Sequence, residues 1–150
     1  MSAERKRSRS TRLTTDDRFL RAFAAVARGV SRSLPLEVML NVALEWTLQD
    51  PRVEAAEIYL LDEERGELNY ACQRGLSEEC VEEAKQIPIR LGEGIIGHVA
   101  SSGEPILVAE LAHEAEFPRD ILKRQGYCAL YSLPLRSADR VCGVWNLFFG

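Results

Sequence analysis

Apolar residues recur every three or four positions in the first third of the chain and then follow the shorter period of strands. The first pattern predicts an amphipathic helix within residues 14–33 and a second helix over about 36–48. The second pattern predicts two strands, at 55–61 and 67–74, joined by a charged turn that ends in Gly66. We therefore expect a helical N-terminal part followed by a sheet.

The second half of the chain predicts a mixture of short helices and strands. The predicted elements are a helix over 77–84, a helix over 95–101, and strands at 105–109, 127–135 and 140–149. The segment 110–125, between the strands at 105–109 and 127–135, is polar and is predicted to end in a short helix from Arg119. The final strand is apolar at both its odd and its even positions, so we expect it to be buried on both faces of the sheet.

A glycine-rich run, Gly92-Glu93-Gly94-Ile95-Ile96-Gly97, has the spacing of a dinucleotide-binding fingerprint. That fingerprint needs a buried strand that leads into a parallel β-α-β unit. The strand before this run is only Ile87-Pro88-Ile89, and Glu93 would place a carboxylate beside the phosphates. The context favours a turn that leads into a short lid helix above a small antiparallel sheet.

Length and charge favour one acidic folded domain behind a basic tail. The chain has 150 residues, 46% of them hydrophobic, which suffices for a single core. Residues 1–13 carry five basic groups and one acidic group, whereas the remainder carries 14 basic and 22 acidic groups. We expect residues 1–13 to be a disordered basic tail and the folded part to bind no nucleic acid.

Candidate metal, membrane and secretion signals are weak. No stretch of the sequence approaches the roughly 18 apolar residues of a membrane-spanning helix. His98 and His113 are isolated, and the four cysteines lack the paired spacing of a zinc site. We therefore predict a cytoplasmic protein with reduced thiols, without a metal or a cofactor.

From about Leu36 onward the sequence resembles the GAF domain family, which contains small-molecule-sensing modules of signalling proteins. The resemblance rests on residues 91–100, 103–106, 132–135 and 141–147, in that order and spacing. It implies an α+β fold with a five-stranded antiparallel sheet of order 2-1-5-4-3, helices on one face and a lidded pocket on the other. It also implies that the domain is 34–150 and lacks the C-terminal helix usual in the family.

A pocket in such a fold needs apolar walls and a few hydrogen-bonding groups, which tyrosine and tryptophan combine. The candidate lining residues are Tyr59, Tyr70, Ile96, Val99, Phe117, Tyr127, Tyr131 and Trp145. Core packing is the commoner role of such residues, so the sequence leaves open whether the pocket is filled. Haem held by His113 and an attached bilin are both disfavoured, and the family's cyclic-nucleotide motif Asn-Lys-Phe-Asp-Glu is absent.

The resemblance implies a non-catalytic sensory module for an unknown small molecule. In this interpretation the helix within 14–33 joins two copies as a homodimer, and the host is a cytoplasmic sensor histidine kinase of a two-component system. Two alternatives stay open: a structural dimerisation module without a ligand, and a cysteine-dependent free methionine sulfoxide reductase. The reductase would need a cysteine on the lid helix, where Ile95 and Ile96 stand.

Overall fold

A six-stranded antiparallel sheet forms the centre of the protein. The computed structural model describes residues 36–150. The strands are β1 (Ala55–Asp62), β2 (Glu67–Arg74), β3 (Ile89–Arg90), β4 (Ile106–Val108), β5 (Ala129–Ser137) and β6 (Arg140–Phe149). Their order in the sheet is β3-β2-β1-β6-β5-β4, and all neighbouring strands are antiparallel.

Short helices precede the first strand and connect later ones. Within the described residues they are α1 (Leu36–Thr47), α2 (Glu78–Gln86), α3 (Gly94–Ser102), a 3₁₀-helix (Leu111–His113) and α4 (Asp120–Arg124). The sheet and the helices between its strands form one compact unit over residues 44–150. None of the described helices is long and apolar enough to cross a membrane.

The antiparallel α+β architecture agrees with the fold that the resemblance implied, but the strand count and the strand order do not. The prediction of five strands in the order 2-1-5-4-3 was wrong, because β3 adds a sixth strand at the edge beside β2. The sequence indicated a short strand at 87–89, but two or three residues are too few to show a hydrophobic period, and this strand was not counted in the predicted sheet. The predicted tail, 1–13, and the predicted dimerisation helix, 14–33, lie outside the described residues.

The two central strands, β1 and β6, are buried on both faces. Residues 55–59 and 143–148 are buried consecutively rather than alternately. This confirms the expectation for the last strand. It also means that a polar residue on either of these strands lies deep in the protein and needs a partner there.

Pairing between β1 and β6 distinguishes the two faces of the sheet. Glu57 pairs with Asn146, and Ile58 pairs with Trp145. Because successive residues of a strand point to opposite faces, Glu57 and Tyr59 share one face with Asn146, and Ile58 shares the other with Trp145. Tyr59 belongs to the main apolar cluster together with residues of α2 and α3. The face of Glu57 and Tyr59 is therefore the one that these helices cover.

Ser77 caps the N-terminus of α2. Its backbone is extended, and its Oγ accepts a hydrogen bond from the backbone N–H of Cys80 at 3.3 Å. We expect Ser77→Ala to lower the free energy of unfolding by about 1 kcal/mol, measured by urea denaturation. The control is Ser101→Ala, whose hydroxyl donates only to a carbonyl within α3. The control should change the stability by less than about 0.5 kcal/mol, and equal losses in the two variants would contradict the capping role.

Candidate functional site

The glycine-rich run forms a tight loop that leads into helix α3. Gly92 and Gly94 have φ angles of +82° and +64°, which favour glycine. The backbone N–H of Gly92 donates to the carbonyl of Gly97 at 2.8 Å. A Cβ on Gly97 would overlap the carbonyl oxygen of Arg90, so this third glycine is required for space rather than for its φ angle. The three glycines thus hold the start of α3 close to β3.

This geometry differs from that of a dinucleotide-binding loop. The strand before the run, β3, lies at the sheet edge and is antiparallel to β2, whereas the fingerprint requires a parallel β-α-β unit. Glu93 occupies the N-cap position of α3, where a bound pyrophosphate would otherwise meet the helix. The run therefore positions a lid helix and is not a phosphate site.

A cavity of about 150 Å³ lies at the start of this helix. Its walls come from one sheet residue, from the segment before and in β3, from the start of α3 and from the loop before α4. The described lining residues are Tyr59, Ile87, Pro88, Ile89, Glu93, Gly94, Ile95, Ile96, Glu116, Phe117, Pro118 and Arg119. Most of these side chains are apolar; of the four polar ones, Glu93 and Glu116 are exposed, whereas Tyr59 and Arg119 are buried.

A second cavity, of about 130 Å³, lies on the other side of the same wall. It shares Tyr59 and the segment 87–89 with the first cavity, and it adds residues of β2 and α2. The added residues are Glu67, Leu68, Asn69, Tyr70, Ala84 and Lys85. Tyr59 therefore lines both cavities, and its hydroxyl is buried.

A buried ion pair lies behind the first cavity. Arg119 Nη1 donates to Glu57 Oε1 at 2.5 Å, and both side chains are at most 2% exposed. Arg119 Nη2 donates to the carbonyl of Cys80 at 3.0 Å. Asn146 Nδ2 donates to the same Glu57 oxygen at 3.0 Å, and Ser132 Oγ donates to Asn146 Oδ1 at 2.7 Å. This polar network joins three strands and helix α2 to the loop that carries Arg119.

Four polar atoms around this network have no hydrogen-bond partner within the described part of the chain. They are Glu57 Oε2, Tyr59 OH, Tyr70 OH and Arg119 Nε. The rings of Tyr59 and Tyr70 meet edge to face, with centroids 5.2 Å apart. A buried polar group without a partner costs about 1–3 kcal/mol. Two of them, Glu57 Oε2 and Tyr70 OH, belong to side chains that interact with each other, so the Tyr59 hydroxyl and Arg119 Nε are the unpaired groups that belong to the lining of the first cavity.

Electrostatics keep the two phenols protonated. Burial raises the pKa of Tyr59 and of Tyr70, and the charge of Glu57 adds to the rise. Burial also raises the pKa of the Glu57 carboxyl, against the opposing charge of Arg119. The Tyr70 hydroxyl is close enough to lower the pKa of Glu57, although its geometry falls short of a hydrogen bond. Both tyrosines are therefore available as hydrogen-bond donors over the physiological pH range.

Several candidate residues from the sequence come together at these cavities. Tyr59, Ile96 and Phe117 line the first cavity, and Tyr59 and Tyr70 line the second. These residues come from four elements, namely β1 (Tyr59), β2 (Tyr70), the lid helix α3 (Ile96) and the loop before α4 (Phe117).

The other four candidates are not among the described lining residues of either cavity. Val99 lies on α3, and its side chain is fully buried in the core. Tyr127 packs its ring against Phe148, at a centroid distance of 5.6 Å. Tyr131 and Trp145 each adjoin a residue of the polar network, and successive strand residues point to opposite faces. These two aromatic residues therefore lie on the other side of the sheet.

The sequence interpretation missed Glu57, Arg119 and Asn146. A signal existed for Glu57 and Asn146, since each is a polar residue inside an otherwise apolar central strand. A buried charge survives only with a partner or at a functional site. Arg119 had no such signal, because it lies in a polar loop and finds its partner only in the fold.

No cysteine thiol and no histidine ring belongs to the described lining of either cavity, although the backbone carbonyl of Cys80 accepts from Arg119. Cys80 is buried, Cys72 is half-buried, and Cys128 and Cys142 are exposed; none forms a disulfide. None of these four lines either cavity. Both histidines are exposed, and residues 36–150 contain no group of three or more metal-ligating side chains.

Known proteins resemble this chain in sequence and in fold. A family model described as GAF domain matches residues 33–150. The Nif-specific regulatory protein of Azospirillum lipoferum is 30% identical over 141 residues, which cover 91% of this chain and 22% of that protein. The chain therefore spans less than a quarter of the length of this curated relative.

Solved structures share the architecture at lower identity. The GAF domain of A. aeolicus nlh2, crystallised in an inactive state, superposes with a TM-score of 0.66 at 20% identity, over 86% of this chain and 77% of that chain. The free methionine-R-sulfoxide reductase of Neisseria meningitidis, in complex with its substrate, superposes with a TM-score of 0.62 at 18% identity, over 85% and 70%. At these identities the likeness shows the fold alone.

Proposed function

This chain belongs to the GAF domain family, and from that premise we propose that it is the sensory input module of a larger regulatory protein. A small molecule binds in the first cavity, and its occupancy changes how α3 and the loop before α4 pack on the sheet. The observation that carries this proposal is the apolar cavity with unpaired, buried polar groups at its base.

The size and the lining of the cavity suit a small metabolite. An apolar cavity of about 150 Å³ holds a molecule the size of benzene. Apolar walls with a few placed polar groups are the usual composition of a small-molecule site. Here the apolar wall is supplied by residues such as Ile96 and Phe117, and the polar side chains of the lining are those of Tyr59, Glu93, Glu116 and Arg119.

Helix α3 is placed to respond to a ligand. Its first turn lines the cavity through Ile95 and Ile96. Its far end is tied to the sheet, because Arg136 Nη2 of β5 donates to the carbonyl of Gly103 at 2.6 Å. A ligand at the first turn therefore acts on a helix whose other end is held by the end of β5, next to the turn into β6.

The nature of the host protein is part of the proposal. The similarity to a Nif-specific regulatory protein supports a regulatory host, and the sensor histidine kinase of the sequence analysis is a more specific form of the same idea. In either host, the segment 14–33 is proposed to join two copies of the chain. The reading frame around this domain decides between the hosts, since only a kinase host encodes a kinase domain in it.

A catalytic role as a methionine sulfoxide reductase finds less support. That chemistry requires a thiol that can reach the bound substrate. All four cysteines lie outside the two cavities, and the lid helix carries Ile95 and Ile96 where the thiol would be needed. A steady, thiol-dependent loss of methionine sulfoxide that Cys80→Ser abolished would reverse this ranking.

We expect ligand binding to protect the cavity walls from hydrogen exchange. The 150-residue chain is compared with and without the low-molecular-weight fraction of a cell extract. A ligand at a free concentration of about ten times its Kd lowers the population of open, ligand-free states about tenfold. Hydrogen exchange that occurs through those states slows by the same factor. Protection should concentrate in the segments 87–96 and 116–119, which supply most of the walls.

The control for this experiment is Ile89→Trp, which places a larger side chain in the wall that both cavities share. Ile89 is only partly buried, so the fold accommodates the change. Protection should disappear in this variant. No protection of the wild-type chain, or equal protection of the variant, would contradict a ligand site and favour the structural dimerisation module.

A further inference from the structure

We propose that the first cavity recognises an uncharged ligand that carries a hydrogen-bond donor beside an acceptor, such as a primary carboxamide, and rejects free carboxylates and phosphates. The inference rests on the proposed function, because it names the class of ligand for the same site. It is carried by the hydrogen-bond and charge balance of Tyr59, Arg119 and Glu57.

The charge of Arg119 is already neutralised inside the protein. Its Nη1 atom donates to Glu57, and its Nη2 atom donates to the carbonyl of Cys80. Only Nε is without a partner. A carboxylate is bound strongly by an arginine that offers two parallel N–H groups, and Arg119 cannot do so without releasing Glu57. Releasing Glu57 would leave its carboxylate buried beside the carboxylate of the ligand.

The remaining charges at the cavity also disfavour an anion. Among the described lining residues, Arg119 is the only cation, whereas Glu93 and Glu116 both carry carboxylates. An anionic ligand would therefore enter beside two carboxylates and would meet a cation whose charge is already balanced. Burying an ion without an added countercharge costs far more than burying a neutral polar group.

A carboxamide matches the unpaired atoms. Its carbonyl oxygen accepts from Arg119 Nε or from the hydroxyl of Tyr59, and its N–H donates to a hydroxyl oxygen that has no other partner. The second phenol, Tyr70, lies beside Tyr59 and close to Glu57. The unpaired oxygen of Glu57 can accept the Tyr70 or Tyr59 proton, which leaves a phenol oxygen free to accept from the ligand. The Tyr59 hydroxyl and Arg119 Nε, the unpaired groups that belong to the lining of the first cavity, can then both find partners in one neutral group.

Isobutyramide and isobutyrate form a matched pair of probes that differ in charge and are each about the size of benzene. Binding to the 150-residue chain is measured by two-dimensional NMR, following backbone amides of 87–96 and 117–119. We expect isobutyramide to bind at least about tenfold more tightly than isobutyrate, since only the anion brings an unpaired charge. Isobutyrate binding as tightly as isobutyramide, or neither probe shifting these amides, would overturn the inference.

Tyr59→Phe tests whether the hydroxyl recognises the ligand. The variant keeps the ring and removes a buried hydroxyl that lacks a partner, so it is expected to fold. Its dissociation constant for isobutyramide should rise about fivefold, as expected for one lost hydrogen bond. The matched control is Tyr127→Phe, outside the lining of both cavities, with no expected change. Equal affinities in Tyr59→Phe and the wild type would overturn the proposed contact.

The two levels of the proposal fail in different ways. If the ligand class is wrong, the extract still protects the cavity walls in a manner that Ile89→Trp abolishes, while isobutyramide shows no preference over isobutyrate. If the sensory function is wrong, the extract gives no protection that depends on the cavity. The exchange experiment and the probe experiment therefore separate the two failures.

Discussion

The substitution Arg119→Met is expected to lower the free energy of unfolding by about 4 kcal/mol, because it leaves a buried carboxylate without its countercharge. The side chain of Glu57 is fully buried, and that of its partner Arg119 is only 2% exposed. Methionine fills much of the same space, so the loss reports the charge rather than a cavity. The measurement is urea denaturation of the variant and the wild type at pH 7.

A double variant separates charge from packing. Glu57→Gln combined with Arg119→Met removes both charges, so it should recover at least half of the stability lost in Arg119→Met. The amide of glutamine can still accept the hydrogen bond that Asn146 Nδ2 donates to Glu57. A double variant as unstable as the single one would show that the guanidinium acts through packing alone.

The same pair predicts a pH dependence of known sign. Burial raises the pKa of Glu57 above its ordinary value of 4.5, and removal of Arg119 raises it further. A carboxyl whose pKa is raised in the folded state favours folding at low pH, and this contribution is lost as the pH rises through the raised pKa. The destabilisation by Arg119→Met should therefore be smaller at about pH 5 than at pH 7. Equal losses at the two pH values would contradict a charged Glu57 as their cause.

The second large effect is expected for Gly97→Ala, which should cost about 3 kcal/mol of unfolding free energy. The added Cβ would overlap the carbonyl oxygen of Arg90, a backbone atom that cannot move without shifting β3. The shift would also break the hydrogen bond from the N–H of Gly92 to the carbonyl of Gly97. Both thermal unfolding and urea denaturation measure this loss.

Gly92→Ala is the matched control in the same loop. Gly92 has a φ of +82°, but a Cβ there would meet no atom within 4 Å. Only the cost of a left-handed conformation remains, about 1–2 kcal/mol. The order of the two losses is the test: if Gly92→Ala costs as much as Gly97→Ala, the close approach between α3 and β3 is not what requires the third glycine.

The sequence predicted most elements because hydrophobic period is a local property. The strand expected at 67–74 is β2, and the strand expected at 140–149 is β6. A two-residue strand has no period, so the short strand indicated at 87–89 was not counted and the predicted sheet had one strand too few. The GAF family itself was identified correctly, since its motifs in order and spacing are carried by the chain as a whole.

The candidate site shows where local information ends. Tyr59, Tyr131 and Trp145 were equally good candidates in the sequence, because all three are aromatic residues in apolar strands. Strand pairing separates them, since Tyr59 shares the face of Glu57 whereas Trp145 pairs with Ile58 on the opposite face. The register of a sheet depends on contacts between distant segments, and a change of one residue reverses every side chain.

The sequence by itself determined the family and the order of most helices and strands. Only the tertiary structure decided which residues form the site. Glu57 and Arg119 are 62 positions apart, and neither carries a local mark of the other. Their pairing depends on which strand lies at the centre of the sheet and which loop closes over it. Burial, and with it the cost of an unpaired charge, exists only once the chain has folded.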